Sequence, residues 1–241
     1  MWVFFQTLDP RIPSRKLEDS LIGTNPGLGF RPLPKDSTLI WYKANDPSKY
    51  KFWVDDLKDF LKPGVTPGRG QNIYTCDYDR PPKEGQVCDV QIRNLSPCSE
   101  ENMFNFHKNS PCIFIKLNKI YGWVPEFYNN TRDLPPEMPQ KLKDHISEIA
   151  KYRPQEVSCE GENPADVENI GSISYIPQQG FPYYYFPYKN YEGYLSPFVA
   201  VLIEKPMNGV LINIRCKAWA KNIKHSRQDV IGSVHLELMI D

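Results

Sequence analysis

Six cysteines, at positions 76, 88, 98, 112, 159 and 216, are the residues of this 241-residue chain best suited to chemistry. Thiols serve as metal ligands, as nucleophiles or as disulfides, and spacing separates these uses. No two form a C-x-x-C pair, so zinc-finger and thioredoxin readings are weak. The histidines at 107, 145, 225 and 235 are scattered, with none at i, i+4 from another. An even number of thiols without metal spacing fits three disulfides formed in an oxidising compartment. The residues alone leave fifteen pairings open. Two glycosylation sequons, Asn94-Leu95-Ser96 and Asn129-Asn130-Thr131, lean the same way, although Pro97 after the first disfavours its use. There is no G-x-S-x-G elbow, Walker loop, G-x-G-x-x-G or H-E-x-x-H, and the carboxylates read as solvated surface. We therefore expect neither catalysis nor a cofactor or metal.

The other distinctive stretch is FPYYYFPYKNYEGYLSPF, residues 181–198, with nine aromatic residues of which six are tyrosine. Pro182, Pro187 and Pro197 rule out a helix, and a buried strand would not carry so many hydroxyls. Tyrosine offers contact area at low entropic cost, and proline holds a segment extended before it docks. A domain without chemistry but with such a display binds something.

The elements that must carry these residues are mostly strands. Proline, at 23 residues, is about twice its usual share of roughly 5%. Net charge is formally zero, which gives no basic face for nucleic acid. Residues 10–50 are rich in Pro and Gly and read as an extended arm, with one strand at 38–43. Tyr50, Trp53, Val54, Leu57, Phe60 and Leu61 fall at helical spacing, giving a helix over 47–62 that Asp46 or Ser48 caps. Residues 63–87 read as loop, and Cys88, Val90 and Ile92 as alternate positions of a strand. Further strands are expected at 111–123, 198–204, 210–220 and 233–240, and a second helix at 136–150 trimmed by Pro139. Met207-Asn208-Gly209 reads as a tight hairpin turn joining 198–204 to 210–220. The expected fold is mainly β: an immunoglobulin-like antiparallel sandwich with long loops and one or two short helices, stapled by disulfides. Met1–Phe5, MWVFF, is too short to cross a bilayer, which takes about twenty residues. It reads as the outer end of a membrane helix whose remainder lies upstream, with Trp2 at the interface.

Several stretches taken together resemble the β subunits of the sodium/potassium-transporting ATPase, a family that includes the gastric proton pump β subunit. They are NPGLGFRPLP, KANDPSKYKFWVDDLKDFLK, NSPCIFIKLNKIYGWVP, YYFPYKNYEGYLSPFVAV and INIRCKAWAKNI. The resemblance runs over essentially the whole chain in the family's order. It implies pairing of the cysteines in sequence order: Cys76 with Cys88, Cys98 with Cys112, and Cys159 with Cys216. It implies a single-pass plasma-membrane glycoprotein with residues 1–8 ending the membrane helix, 9–36 a juxtamembrane arm and 37–241 an extracellular domain. The partner it implies is a catalytic α subunit, joined by a small FXYD-like regulator, with Tyr184, Tyr185, Phe186, Pro187 and Tyr188 as contacts; the sequon positions Asn94 and Asn129 differ from the family's. The implied role is assembly and export of the pump and tuning of its K+ affinity. A short first cysteine loop, and Tyr185-Phe186 and Tyr188-Lys189-Asn190 in the aromatic segment, suggest an invertebrate-type member. The alternative reading is an immunoglobulin-like adhesion module that acts without a pump.

Overall fold

The computed structural model describes residues 12–20, 23–62, 72–90, 92, 95–128, 131–149, 155–225 and 231–241. Residues 1–8, expected to end a membrane helix, and both sequon asparagines lie outside the described residues. Among the described residues no helix is long and apolar enough to cross a membrane.

Two sheets enclose the core. The first runs β1 (Leu28–Arg31), β5 (Cys112–Leu117), β9 (Phe198–Glu204), β7 (Ser172–Ile176), all antiparallel. The second runs β2 (Leu39–Tyr42), β11 (Ser233–Ile240), β10 (Ile212–Trp219), β6 (Gln155–Gly161), β8 (Gly180–Phe181). Its β2–β11 pairing is parallel and the others are antiparallel. A two-stranded parallel pair, β3 (Ile73–Tyr74) and β4 (Val87–Cys88), lies apart from both.

The alternation of β10 does what its pattern requires: Ile212, Ile214, Cys216 and Ala218 are all buried, and Leu236, Leu238 and Ile240 of β11 join them. Strands β5 and β9 are apolar on both faces because both faces are covered. Their outer face lies under helix α1 (Pro47–Leu61) and a 3-10 segment, Glu100–Lys108. Phe60 of α1 and Phe104 of the segment meet Phe114 edge-on at 6.2 and 5.9 Å. Asp46 caps α1 by accepting from the Ser48 amide at 2.9 Å, and Pro47 fills the first turn, where no amide partner is needed. On the outer face of the second sheet, helix α2 (Gln140–Ile149) lays Leu142 and Ile146 over Trp219. The Trp219 indole donates to the Ser158 hydroxyl at 2.8 Å beneath it. Helix α3 (Pro164–Asn169) packs so close to β6 that a Cβ on Gly161 would lie 2.4 Å from the backbone of Asp166 and Val167.

Several expectations change. Met207-Asn208-Gly209 is not a hairpin turn: β9 and β10 belong to different sheets, and this segment crosses between them. Gly209 donates there to the Ile240 carbonyl at 2.7 Å. The strand expected through Cys88, Val90 and Ile92 stops at Cys88 and is paired with Ile73–Tyr74, inside the stretch read as loop. Part of the arm is a strand, since Leu28 and Phe30 are buried and Leu28–Arg31 pairs with β5. The second helix begins at Gln140, directly after Pro139.

Candidate functional site

The aromatic segment leaves the second sheet at β8 and re-enters the first at β9, so it spans one end of the sandwich. Phe181 and Phe198 anchor its two ends in the core. Between them the segment is too rich in proline to join either ladder, and Tyr183–Tyr185 forms one turn of 3-10 helix. Tyr184, Tyr185, Phe186, Pro187 and Tyr188 are all half-buried, each with one part packed and one part facing solvent.

The packed part is ordered by rings and by hydrogen bonds to backbone. The Tyr183 hydroxyl donates to the Tyr78 carbonyl at 2.9 Å, and that of Tyr185 to the Asp89 carbonyl at 3.1 Å. Tyr184 meets Tyr78 at 5.5 Å and Tyr185 at 4.7 Å between ring centroids. Phe186 stands edge-on to Trp123 at 5.8 Å. Tyr188 lies 4.9 Å from Tyr194 and 6.4 Å from Tyr121, and its hydroxyl donates to Asn190 Oδ1 at 2.6 Å. The Gly122 amide also donates to the Tyr188 carbonyl at 2.8 Å, which ties the segment to the turn after β5.

Two grooves flank this ledge. One, of about 300 Å3, runs between Pro81–Glu84 and the rings of Tyr183, Tyr184 and Tyr191. The other, of about 240 Å3, lies between Tyr78, Leu95, Gln178 and Tyr185. Desolvation raises the hydroxyl pKa of Tyr184, Tyr185, Tyr188 and Tyr194, so all four are neutral hydrogen-bonding groups at physiological pH. The surface is therefore uncharged along its tyrosines, ridged and held in place before any partner arrives.

The disulfides join Cys76 to Cys88, Cys98 to Cys112 and Cys159 to Cys216. Each has a place in the architecture. The first closes the β3–β4 pair under the ledge, with Cys88 Sγ 3.3 Å from the Tyr184 carbonyl oxygen. The second ties the Glu100–Lys108 segment to the start of β5, and the third links directly opposed residues of β6 and β10. Among the described residues no cluster of His, Cys, Asp or Glu has the geometry to hold a metal ion.

The structure brings residues to the ledge that the sequence did not assign to it: Tyr78, Tyr121 and Trp123. Tyr121 and Trp123 had a signal, since they stand close together in IYGW just after the strongest central strand. Tyr78 had none, because it sits in a charged loop and reaches the site through the Cys76–Cys88 closure.

Comparison with known proteins points to one family. A family model described as the sodium/potassium ATPase beta chain matches residues 1–236. The sodium/potassium-transporting ATPase subunit beta-2 of Drosophila melanogaster is 60% identical over 254 residues, which cover 100% of this chain and 79% of that protein. Subunit beta-1 of the same organism is 40% identical over 98% of this chain and 77% of its own length. The human subunit beta-2 is 27% identical over 100% of this chain and 79% of its own length.

Proposed function

Because the chain belongs to the sodium/potassium ATPase beta chain family, we propose that its tyrosine ledge is the surface on which it docks the catalytic α subunit of such a pump. Beta subunits are the non-catalytic subunits of the pump, and the family is membrane-associated. On this reading residues from about 9 onward lie outside the cell, Asn94 and Asn129 carry glycans, and the subunit serves assembly, export and stability of its partner. A small FXYD-like regulator shares the complex.

The observation that carries the docking reading is the half-buried, pre-ordered state of Tyr184–Tyr188 between two grooves. Rings fixed by neighbours lose little entropy on binding, and their free faces supply area and hydroxyls to a partner loop. The effect on transport is indirect. A disulfide-stapled sandwich braces the outer ends of the partner's helices, and no residue of this chain touches the ion. If bracing favours the K+-occluded state by about 1 kcal/mol, apparent K+ affinity shifts roughly fivefold.

The test is co-expression with the α subunit, replacing Tyr185 and Tyr188 by Ala together. Recovery of the complex and K+ activation of ATP hydrolysis are then measured. Reduced recovery, or a K+ response weakened severalfold, is expected. Normal values for both would remove the reading.

A further inference from the structure

At one end of the ledge two lysines stand against a row of tyrosine rings. Lys16 Nζ lies 5.4 Å from the centroid of Tyr121, Tyr121 lies 6.4 Å from Tyr188, and Lys119 Nζ stands 5.2 Å from Tyr188 and 5.3 Å from Tyr194. The run is built by backbone as well as rings, since Tyr121 and Tyr188 form a parallel bridge. Both lysines are exposed. Neither they nor Lys116, near the end of β5, has a carboxylate within ion-pair distance among the described residues.

Ring faces attract an ammonium but do not neutralise it, and they cannot satisfy its three directional donors. One Lys119 donor is taken weakly, by the Tyr194 carbonyl at 3.5 Å. Partial desolvation and the nearby Lys116 charge also lower the Lys119 pKa, so an incoming anion relieves a real electrostatic cost. We infer that Lys119, set over the paired rings of Tyr188 and Tyr194, receives a single carboxylate from an acidic extracellular segment of the partner ATPase subunit, with Lys16 over Tyr121 offering a second such contact. This rests on the docking reading above and names the chemistry of its partner. A carboxylate suits the site better than a lipid phosphate. Two rings separate the lysines, so each presents one charge, whereas a phosphate gains most from donors that converge on it.

The experiment uses the full chain co-expressed with the α subunit. Lys119→Glu is expected to lower recovery of the complex roughly tenfold and Lys119→Arg to preserve it. Lys119→Gln is expected to lose a smaller share and to flatten the salt dependence of the complex, and it tests the charge should Lys119→Glu block folding. One Asp→Lys or Glu→Lys change in the partner's extracellular loops should then restore assembly with Lys119→Glu. Wild-type recovery and salt dependence for both Glu and Gln variants would overturn the inference. So would failure of every charge swap together with a parallel loss of binding to phosphatidylserine vesicles, which would assign the site to lipid. Loss with Tyr185→Ala/Tyr188→Ala but not with the Lys119 variants would leave the docking reading standing and remove only the carboxylate. No loss with either set would remove both.

Discussion

At the scale of single residues, Glu156 is the least conventional group in the fold. It sits on the outer face of β6 opposite Trp219, is 3% exposed, and neither carboxyl oxygen has a hydrogen-bond partner among the described residues. Burial pushes its pKa from 4.5 up to about 8. Between those values the folded chain keeps a proton that the unfolded chain has released. The stability this confers is complete below about pH 4.5 and is lost as pH rises through 8. From pH 5 to 8 the loss is expected to be roughly 3 kcal/mol. Urea unfolding across this range measures it, and Glu156→Gln, which cannot ionise, should abolish that slope. An unchanged slope in the variant would show that Glu156 is ionised in the folded chain. This residue also shows what could be read beforehand. The sequence QEVSCEG offers only Val157 and Cys159 as apolar alternates, so β6 was not anticipated. Its polar neighbours Glu156 and Ser158 are buried on the face that carries Trp219 of β10. Burial set by a side chain of the partner strand leaves no trace in the alternation of β6 itself.

At the scale of elements, local patterns were legible where one face decides the structure and misleading where partners decide it. Helix α1 could be read from its spacing and its Asp46–Pro47 start, and β10 and β11 from strict alternation. The turn between β9 and β10 was misread because two apolar runs joined by Asn-Gly look the same whether they pair with each other or part to opposite sheets. The aromatic segment was legible as a candidate contact, but the depth to which each ring packs was not, since Tyr78 and Trp123 come from remote loops. A second element-scale consequence concerns α3. Gly161 admits it to the face of β6, where Asp166 accepts from Asn213 Nδ2 at 3.2 Å. Gly161→Ala forces backbone against Cβ and should cost about 2 kcal/mol, seen as a lower urea midpoint with unchanged slope. A wild-type midpoint would mean that α3 can shift away freely.

At the scale of the whole molecule, the disulfides divide their work by the length of chain they close. Cys159–Cys216 spans 57 positions and Cys98–Cys112 spans 14. In the chain-entropy model the longer closure is worth about 4 kcal/mol and the shorter about 3. Replacing Cys159 and Cys216 together by Ala should therefore lower stability by about 1 kcal/mol more than replacing Cys98 and Cys112. Equal losses in equilibrium unfolding would instead indicate that native packing, and not unfolded-state entropy, sets the contribution. Either way the staples allow a proline-rich chain to keep long loops outside its core and still hold the ledge in one shape.

The parallel seam between β2 and β11 has a consequence for how the molecule is made. Thr38 and Glu237, hydrogen-bonded at 3.1 Å, stand 199 positions apart, and β11 lies inside its sheet, between β2 and β10. A ribosome delivers the amino-terminal side of this seam long before the carboxyl-terminal side. The nascent chain must therefore wait with Trp41 and its neighbours unmated, and the second sheet closes only after synthesis has passed residue 233. Chaperones and quality-control factors thus have a clear mark of an unfinished copy: an orphan strand on the amino-terminal side of the seam.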